Sequence, residues 1–350
     1  MKIISGHFGQ ATRYPNSHGD VWTTTWVGDG ALYSVSDDTY GIDRAANSNL
    51  AVHRIVGDMP PNIRAETINP MREYGHLAQF LDDDGMWKAN GLTCIDDVLY
   101  MSISRHAHPL KQRYFIQETW DSSIIKSEDY GKTWSAKPQL GRAMFPGPTF
   151  STPFFVAYGQ NGSATVDEAD KYVYAVSSNG VWNNGSSMTL GRVPRERIAR
   201  LDPSDWEFIQ TFTEQGEPVW RPRHDTARYI FRSPGKTSMT GIHYIAPLGL
   251  YILPQWHYTA LDDPALRWKR TKFQFYQAEA PWGPWSLFCE QDFAESWYNP
   301  CIPSKFISPD GCSLWVFAAG DFTNNGEVDS NNNYISYYGL WMMPLRLEVA

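Results

Sequence analysis

Five times along the chain a turn-type residue is followed by a short apolar run centred on an aromatic. The runs span 30–35, 97–102, 171–176, 249–253 and 311–317, with Tyr33, Tyr100, Tyr174, Tyr251 and Trp315 at their centres. Successive centres lie 67, 74, 77 and 64 residues apart. Such a recurrence is the mark of a radial or stacked array. A second run follows each first one and ends in a polar turn, often with a Trp nearby: 49–55, 123–134, 188–193, 273–278 and 334–342. Short apolar runs bounded by Gly, Asn, Asp and Pro predict strands, not helices. Five such units, each with an inner and an outer strand pair, predict an all-β chain: a five-bladed β-propeller of four-stranded antiparallel blades over 1–350, as a single domain. Ring closure protects the sheet edges that an open array would expose. The period exceeds the roughly 40–50 residues of a typical blade, so the surplus is expected in loops. The long interruptions at 55–86, 103–121, 136–170 and 211–240 are polar and aperiodic, and they read as those loops.

Composition agrees with many short strands: 15 Trp, 19 Tyr and 17 Phe in 350 residues, with 27 Gly and 23 Pro. The net charge of −8 and the lack of a basic stripe argue against a nucleic-acid partner. No apolar run is long enough to cross a membrane as a helix. The first residues, Met1 to His7, lack the apolar core of an export signal; a signal already removed would leave the chain secreted or periplasmic, and otherwise it is cytoplasmic. Cys94, Cys289, Cys301 and Cys312 show no Cys-x-x-Cys spacing, so they read as buried small hydrophobes. A Cys289–Cys301 or Cys301–Cys312 bridge stays open.

The chemistry-bearing residues gather at strand ends. Asp20 stands before the first repeat strand, and Asp37 and Asp38 stand where that strand ends. Asp is a poor strand former, so acids at two strand ends of one blade want a reason. Glycoside hydrolysis supplies one, because it uses two carboxyls, one protonated and one ionised. The alternative is that all three merely begin turns. Comparable positions on the other blades offer Asn90, His106, Trp182, Trp256, His257, Tyr298 and Asn299, with His18 beside Asp20. Flat aromatic faces and orienting polar groups are what a sugar site needs. His106, with Arg105 and His108 beside it, reads as part of a polar loop. Residues 127–134, with Ser127, Asp129, Gly131 and Trp134, resemble the Asp-box of sialidase-type propellers, which is a folding device at a blade's edge. Arg192 is expected in an outer strand, and Arg195, Arg197 and Arg200 in a solvated turn.

In order and spacing the chain resembles the domain-of-unknown-function family 4185. That family is similar to the five-bladed glycosidase propellers and includes the glycoside hydrolase family 183 endo-D-arabinanases. Gly19-Asp20-Val21-Trp22 and Asp37-Asp38-Thr39 fit its two opening acidic motifs, although Asp37 stands where the family has Gly. The box at 127–134, Tyr172-Val173-Tyr174, Leu190-Gly191-Arg192-Val193-Pro194 and Gly283-Pro284-Trp285 fit its later ones. Ser238-Met239-Thr240 stands where the family carries a Glu-Leu-Ser stretch. The resemblance implies a hydrolase of polysaccharides or oligosaccharides, with pentofuranosides such as arabinan as the leading class. It implies Asp20 and Asp38 as the catalytic pair; by their places on the blades, His18, Asp37, Asn90, His106, Trp182, Trp256, His257, Tyr298 and Asn299 are the expected substrate-binding residues. Neither cofactor nor metal is called for, apart from a structural calcium that a polar central channel could hold. A non-catalytic sugar-binding propeller, a sialidase-like hydrolase and a polysaccharide lyase are the alternatives.

Overall fold

The computed structural model describes residues 1–107, 116–163, 166–321, 325–328, 334–336 and 338–350. His108 and Tyr337, which fall in the expected polar loop and fifth outer run, lie outside the described residues. The structure is a five-bladed β-propeller of antiparallel sheets with one short α-helix among the described residues, α1 (Asp167–Lys171).

The chain enters through β1 (Ile3–Phe8) and β2 (Thr12–Arg13). Blade one is β3 (Ser17–Trp26), β4 (Leu32–Ile42), β5 (Ser48–Met59) and β6 (Asn62–Asn69), paired in that order. Blade two shows three strands among the described residues: β7 (Met86–Ile95), β8 (Val98–Ala107) and β9 (Glu118–Ser127). Blade three runs β10 (Thr152–Phe155), β11 (Tyr172–Ser178), β12 (Gly185–Pro194), β13 (Glu207–Phe212) and β14 (Pro218–Arg221), with β15 (Tyr229–Thr237) also on β12. Blade four is β16 (His243–Ile245), β17 (Leu250–Tyr258), β18 (Thr271–Ala278) and β19 (Ser286–Phe293). Blade five begins with β20 (Tyr298–Cys301) and β21 (Ser313–Gly320); beyond the hairpin β22 (Asn325–Val328) and β23 (Tyr334–Ser336) it continues in β24 (Gly339–Val349). Its last strand is β1, so the two ends of the chain close the ring, with Phe8 opposite Leu345 and Ile3 opposite Val349.

The repeated apolar run is the second strand of every blade (β4, β8, β11, β17, β21). Blades cover both faces of these strands, so they read as nearly continuous apolar runs: every residue of β17 is buried. Outer strands are wetter and lose that signal. The expected loop at 55–86 therefore contains the end of β5 and all of β6, and the loop at 103–121 contains the end of β8 and the start of β9. The loop at 136–170 holds β10, and that at 211–240 holds β14 and β15. The fifth outer strand begins at Gly339, later than the expected 334.

The Asp-box forms as a turn that links blades. Asp129 accepts from Ser127 Oγ, Thr133 N and Thr133 Oγ1 at 2.7–2.9 Å, and Asn69 Nδ2 of blade one donates to Gly131 O and Lys132 O. Arg192 lies in β12, stacked between Tyr172 and Trp220 and paired with Glu207 at 2.9 Å. Arg195, Arg197 and Arg200 form a short 3-10 turn whose charges meet Asp96 and Asp205. All four cysteines are free.

Candidate functional site

Antiparallel order puts the start of each blade's first strand and the end of its second at the same end of the ring. Asp20 (β3), Lys88 (β7) and Tyr298 (β20) come from the first kind of position. Asp38 (β4), His106 (β8) and Tyr258 (β17) come from the second, and Trp182 lies in the turn after β11. With Gln117 and Tyr338 they line one cavity of about 200 Å³.

The backbone around the acids is irregular. The β3–β4 register shifts on both sides of Asp20, and Val21 and Trp22 take φ values of 74° and 53°. A β-branched residue at positive φ is unusual, and bulges next to sites re-aim side chains. Asp38 itself has φ 39°. Adjacent strand residues normally face opposite ways; here Asp37 and Asp38 both act on Lys88.

Electrostatics divide the carboxyls. Lys88 is buried in a strand with no exposed residue, and its Nζ lies 2.5 Å from Asp38 Oδ2 and 5.7 Å from the Trp182 ring centroid. Asp20, Asp38 and Asp37 hold its ammonium well above the usual lysine range although burial opposes this. Burial pushes the Asp20 carboxyl up, against the pull of Lys88; Asp38 nearby adds to the rise. Tyr298 donates to Asp20 Oδ2 at 3.4 Å, and the Tyr338 hydroxyl also bonds this carboxyl. Burial, and then the Asp20 charge, raise both phenols far above their ordinary value, so they are donors. The site thus holds one carboxyl that burial raises and one that is ion-paired. His106 completes the wall, 4.9 Å from the Trp182 ring and bonded through Nε2 to Gln117 Oε1 at 3.0 Å.

Of the residues expected at the site, Asp20, Asp38, His106, Trp182 and Tyr298 line the cavity. The other six do not. Asp37 is wholly buried at the interface of blades one and two, where Oδ1 accepts from Ala89 N at 2.7 Å. His18 backs Tyr338 at 5.1 Å and accepts from Tyr40 N; burial, then Arg44, lowers it to about 4. Asn90 is spent on Ser104 inside blade two. Trp256 lies beneath Tyr298 and Tyr258 at 5.4 and 5.5 Å, and its indole N–H donates to Met239 O. His257, between two residues that share a face, points to the other one; burial, then Lys236 and Lys272, lowers it to about 4. Asn299 turns into a narrow channel with Thr23, His243 and Cys301, and its amide atoms find no partner among the described residues.

Lys88, Gln117, Tyr258 and Tyr338 were not foreseen. A lysine between Trp87 and Ala89 in an apolar strand was the signal for Lys88, since a buried lysine demands a paired acid. The other three carry no comparable mark. Among the described residues no three His, Cys, Asp or Glu side chains converge as a metal set, and no helix is long and apolar enough to cross a membrane.

No family model and no curated protein matches the chain. Among solved structures it is similar to a protein from Bacteroides ovatus, with TM-score 0.54 and 12% identity over 96% of this chain and 87% of that one. It is also similar to a mutant of the GH43 protein BlXynB from Bacillus licheniformis, with TM-score 0.50 and 12% identity over 97% of this chain; the match spans 60% of that longer protein. At this identity the likeness shows the fold.

Proposed function

We propose that this chain is a glycoside hydrolase whose acid is Asp20 and whose second carboxylate is Asp38. The observation that carries the reading is the unlike pair in one cavity: a buried carboxyl pushed toward its protonated form beside a carboxylate held by Lys88. Unequal environments that push two titratable groups apart are how acid and base roles are assigned. The Asp20 proton passes to the glycosidic oxygen as its bond to the anomeric carbon breaks. Asp38 either takes a proton from the attacking water or itself bonds the anomeric carbon. Trp182 and the tyrosines supply ring faces and hydroxyls for the sugar. The shared fold with a GH43 protein and the motif order of family 4185 support the reading, and the latter makes pentofuranosides the first substrates to try.

One observation favours a second reading, a sugar-binding propeller without catalysis. The Lys88–Asp38 ion pair occupies an oxygen that a catalytic carboxylate needs. The test is release of reducing ends from arabinan, xylan and their oligosaccharides by the wild type, Asp20→Asn and Asp38→Asn. Hydrolysis by the wild type, lost in both folded variants, is expected. Full activity in either variant would sink the assignment. Binding without hydrolysis, abolished by Trp182→Ala, would establish the second reading instead.

A further inference from the structure

A larger cleft of about 370 Å³ opens on blade three, and nothing in the central chemistry uses it. Glu118, Asn179, Asn184, Ser187, Tyr229 and Arg232 are among its lining residues. Tyr229 is 40% exposed, one of few large aromatics left open, and its hydroxyl accepts from Asn179 Nδ2 at 3.1 Å. The guanidinium of Arg232 stands 5.9 Å from the same ring centroid. Glu118 and Arg232 form no ion pair among the described residues, which leaves a carboxylate acceptor and a guanidinium donor fork facing one space.

The cleft and the central cavity share a wall one strand pair thick. Trp182 N donates to Gln117 O at 2.8 Å, Thr119 N donates to Gly180 O at 3.1 Å, and Glu118 bridges Val181 between them. Side chains alternate along this ladder. Gln117 and Trp182 face the central cavity, while Glu118 and Val181 face the cleft. Asn184 lines the cleft and binds both backbone groups of Tyr258 at 2.9 and 3.0 Å, and the Tyr258 side chain lines the central cavity.

We infer that the blade-three cleft is a second carbohydrate subsite, holding a neutral sugar unit of the chain whose neighbouring units reach the central cavity. The inference rests on reading that cavity as a sugar site. A fixed aromatic face with converging amide, hydroxyl, acidic and guanidinium groups matches a sugar ring and its hydroxyls. A uronate would meet the Glu118 carboxylate, so neutral units are favoured. A subsite here makes the substrate an oligomer or polymer, because a single sugar unit cannot reach both spaces.

The test uses the full chain and Tyr229→Ala, with Arg232→Ala as the second variant. Retention in gels containing linear arabinan or xylan is measured beside hydrolysis of the same polymer and of a short aryl glycoside. Both variants are expected to lose polymer retention at least fivefold and to raise KM on polymer by a similar factor. Their kcat, and their activity on the aryl glycoside, are expected to stay at the wild-type level. Retention and polymer KM unchanged in both variants, with the wild type active, overturn the subsite alone. Retention that depends on Tyr229 in a chain that hydrolyses nothing supports the subsite and overturns the hydrolase reading. A wild type that neither binds nor cleaves either polymer overturns both.

Discussion

Replacing Lys88 with Met removes the only lysine or arginine among the described residues that line the central cavity, and keeps most of its volume. The Lys88 side chain is 2% exposed and that of Asp38 is 19% exposed. Losing one member of a buried ion pair costs about 3–5 kcal/mol. Asp38 keeps some access to water, so the lower end applies, about 3 kcal/mol. Urea unfolding of the wild type, Lys88→Met, Asp38→Asn and the double variant closes a double-mutant cycle, with an expected coupling of about 2 kcal/mol or more. Activity gives a second readout with a definite sign. Lys88 favours the ionised form of Asp20, so its loss raises the Asp20 carboxyl further. An acid that must be protonated then works to higher pH, and the alkaline limb of kcat/KM moves up. A coupling below about 0.5 kcal/mol would show that the ion pair does not hold the site together. An alkaline limb that stays put or moves down would refute Asp20 as the proton donor.

Asp20→Asn exchanges a carboxyl that burial biases to neutrality for a neutral amide. Hydrolysis should fall about 10²–10⁴-fold in a variant that still unfolds cooperatively, read by turnover and urea unfolding together. Gly91→Ala should cost about 3 kcal/mol or more, seen as a lower urea midpoint, because a Cβ there would lie 2.6 Å from Phe154 Cα and 2.8 Å from Pro153 O, which are backbone atoms that cannot step aside. His53 is buried between Ser36 and Thr67, and burial lowers it to about 3. Its folded-state value is depressed, so its contribution is complete above pH 6.5 and is lost as pH falls toward 3. At pH 5 the loss is about 2 kcal/mol. Buried Asp20 and Asp37 act in the opposite sense. The histidine is therefore isolated by comparison: between pH 7 and 5 the wild type should lose about 2 kcal/mol more than His53→Gln, and equal losses would contradict the assignment.

Sequence alone determined the blade count, because the second strand of each blade is covered on both faces and so must be apolar throughout. It also placed Asp20 and Asp38 on the first two strands of one blade; both lie inside β3 and β4 and not at their ends, and antiparallel order brings both toward the same end of the ring. The outer strands β6, β14 and β15 escaped it, since half-wet strands such as Asn62–Asn69 lack the continuous apolar run that marked the others. Tertiary structure decided which of the expected side chains meet. Trp256 and Tyr258 share a face of β17, yet only Tyr258 reaches the cavity, because Tyr298 lies over Trp256. Asp37 and Asp38 are neighbours in sequence, but one braces blade two at Ala89 N and the other meets solvent. The difference in character between Asp20 and Asp38 depends on Lys88, which is 50 residues from Asp38 along the chain. A buried charge is set by what surrounds it in space, and that neighbourhood exists only once blades one and two have packed.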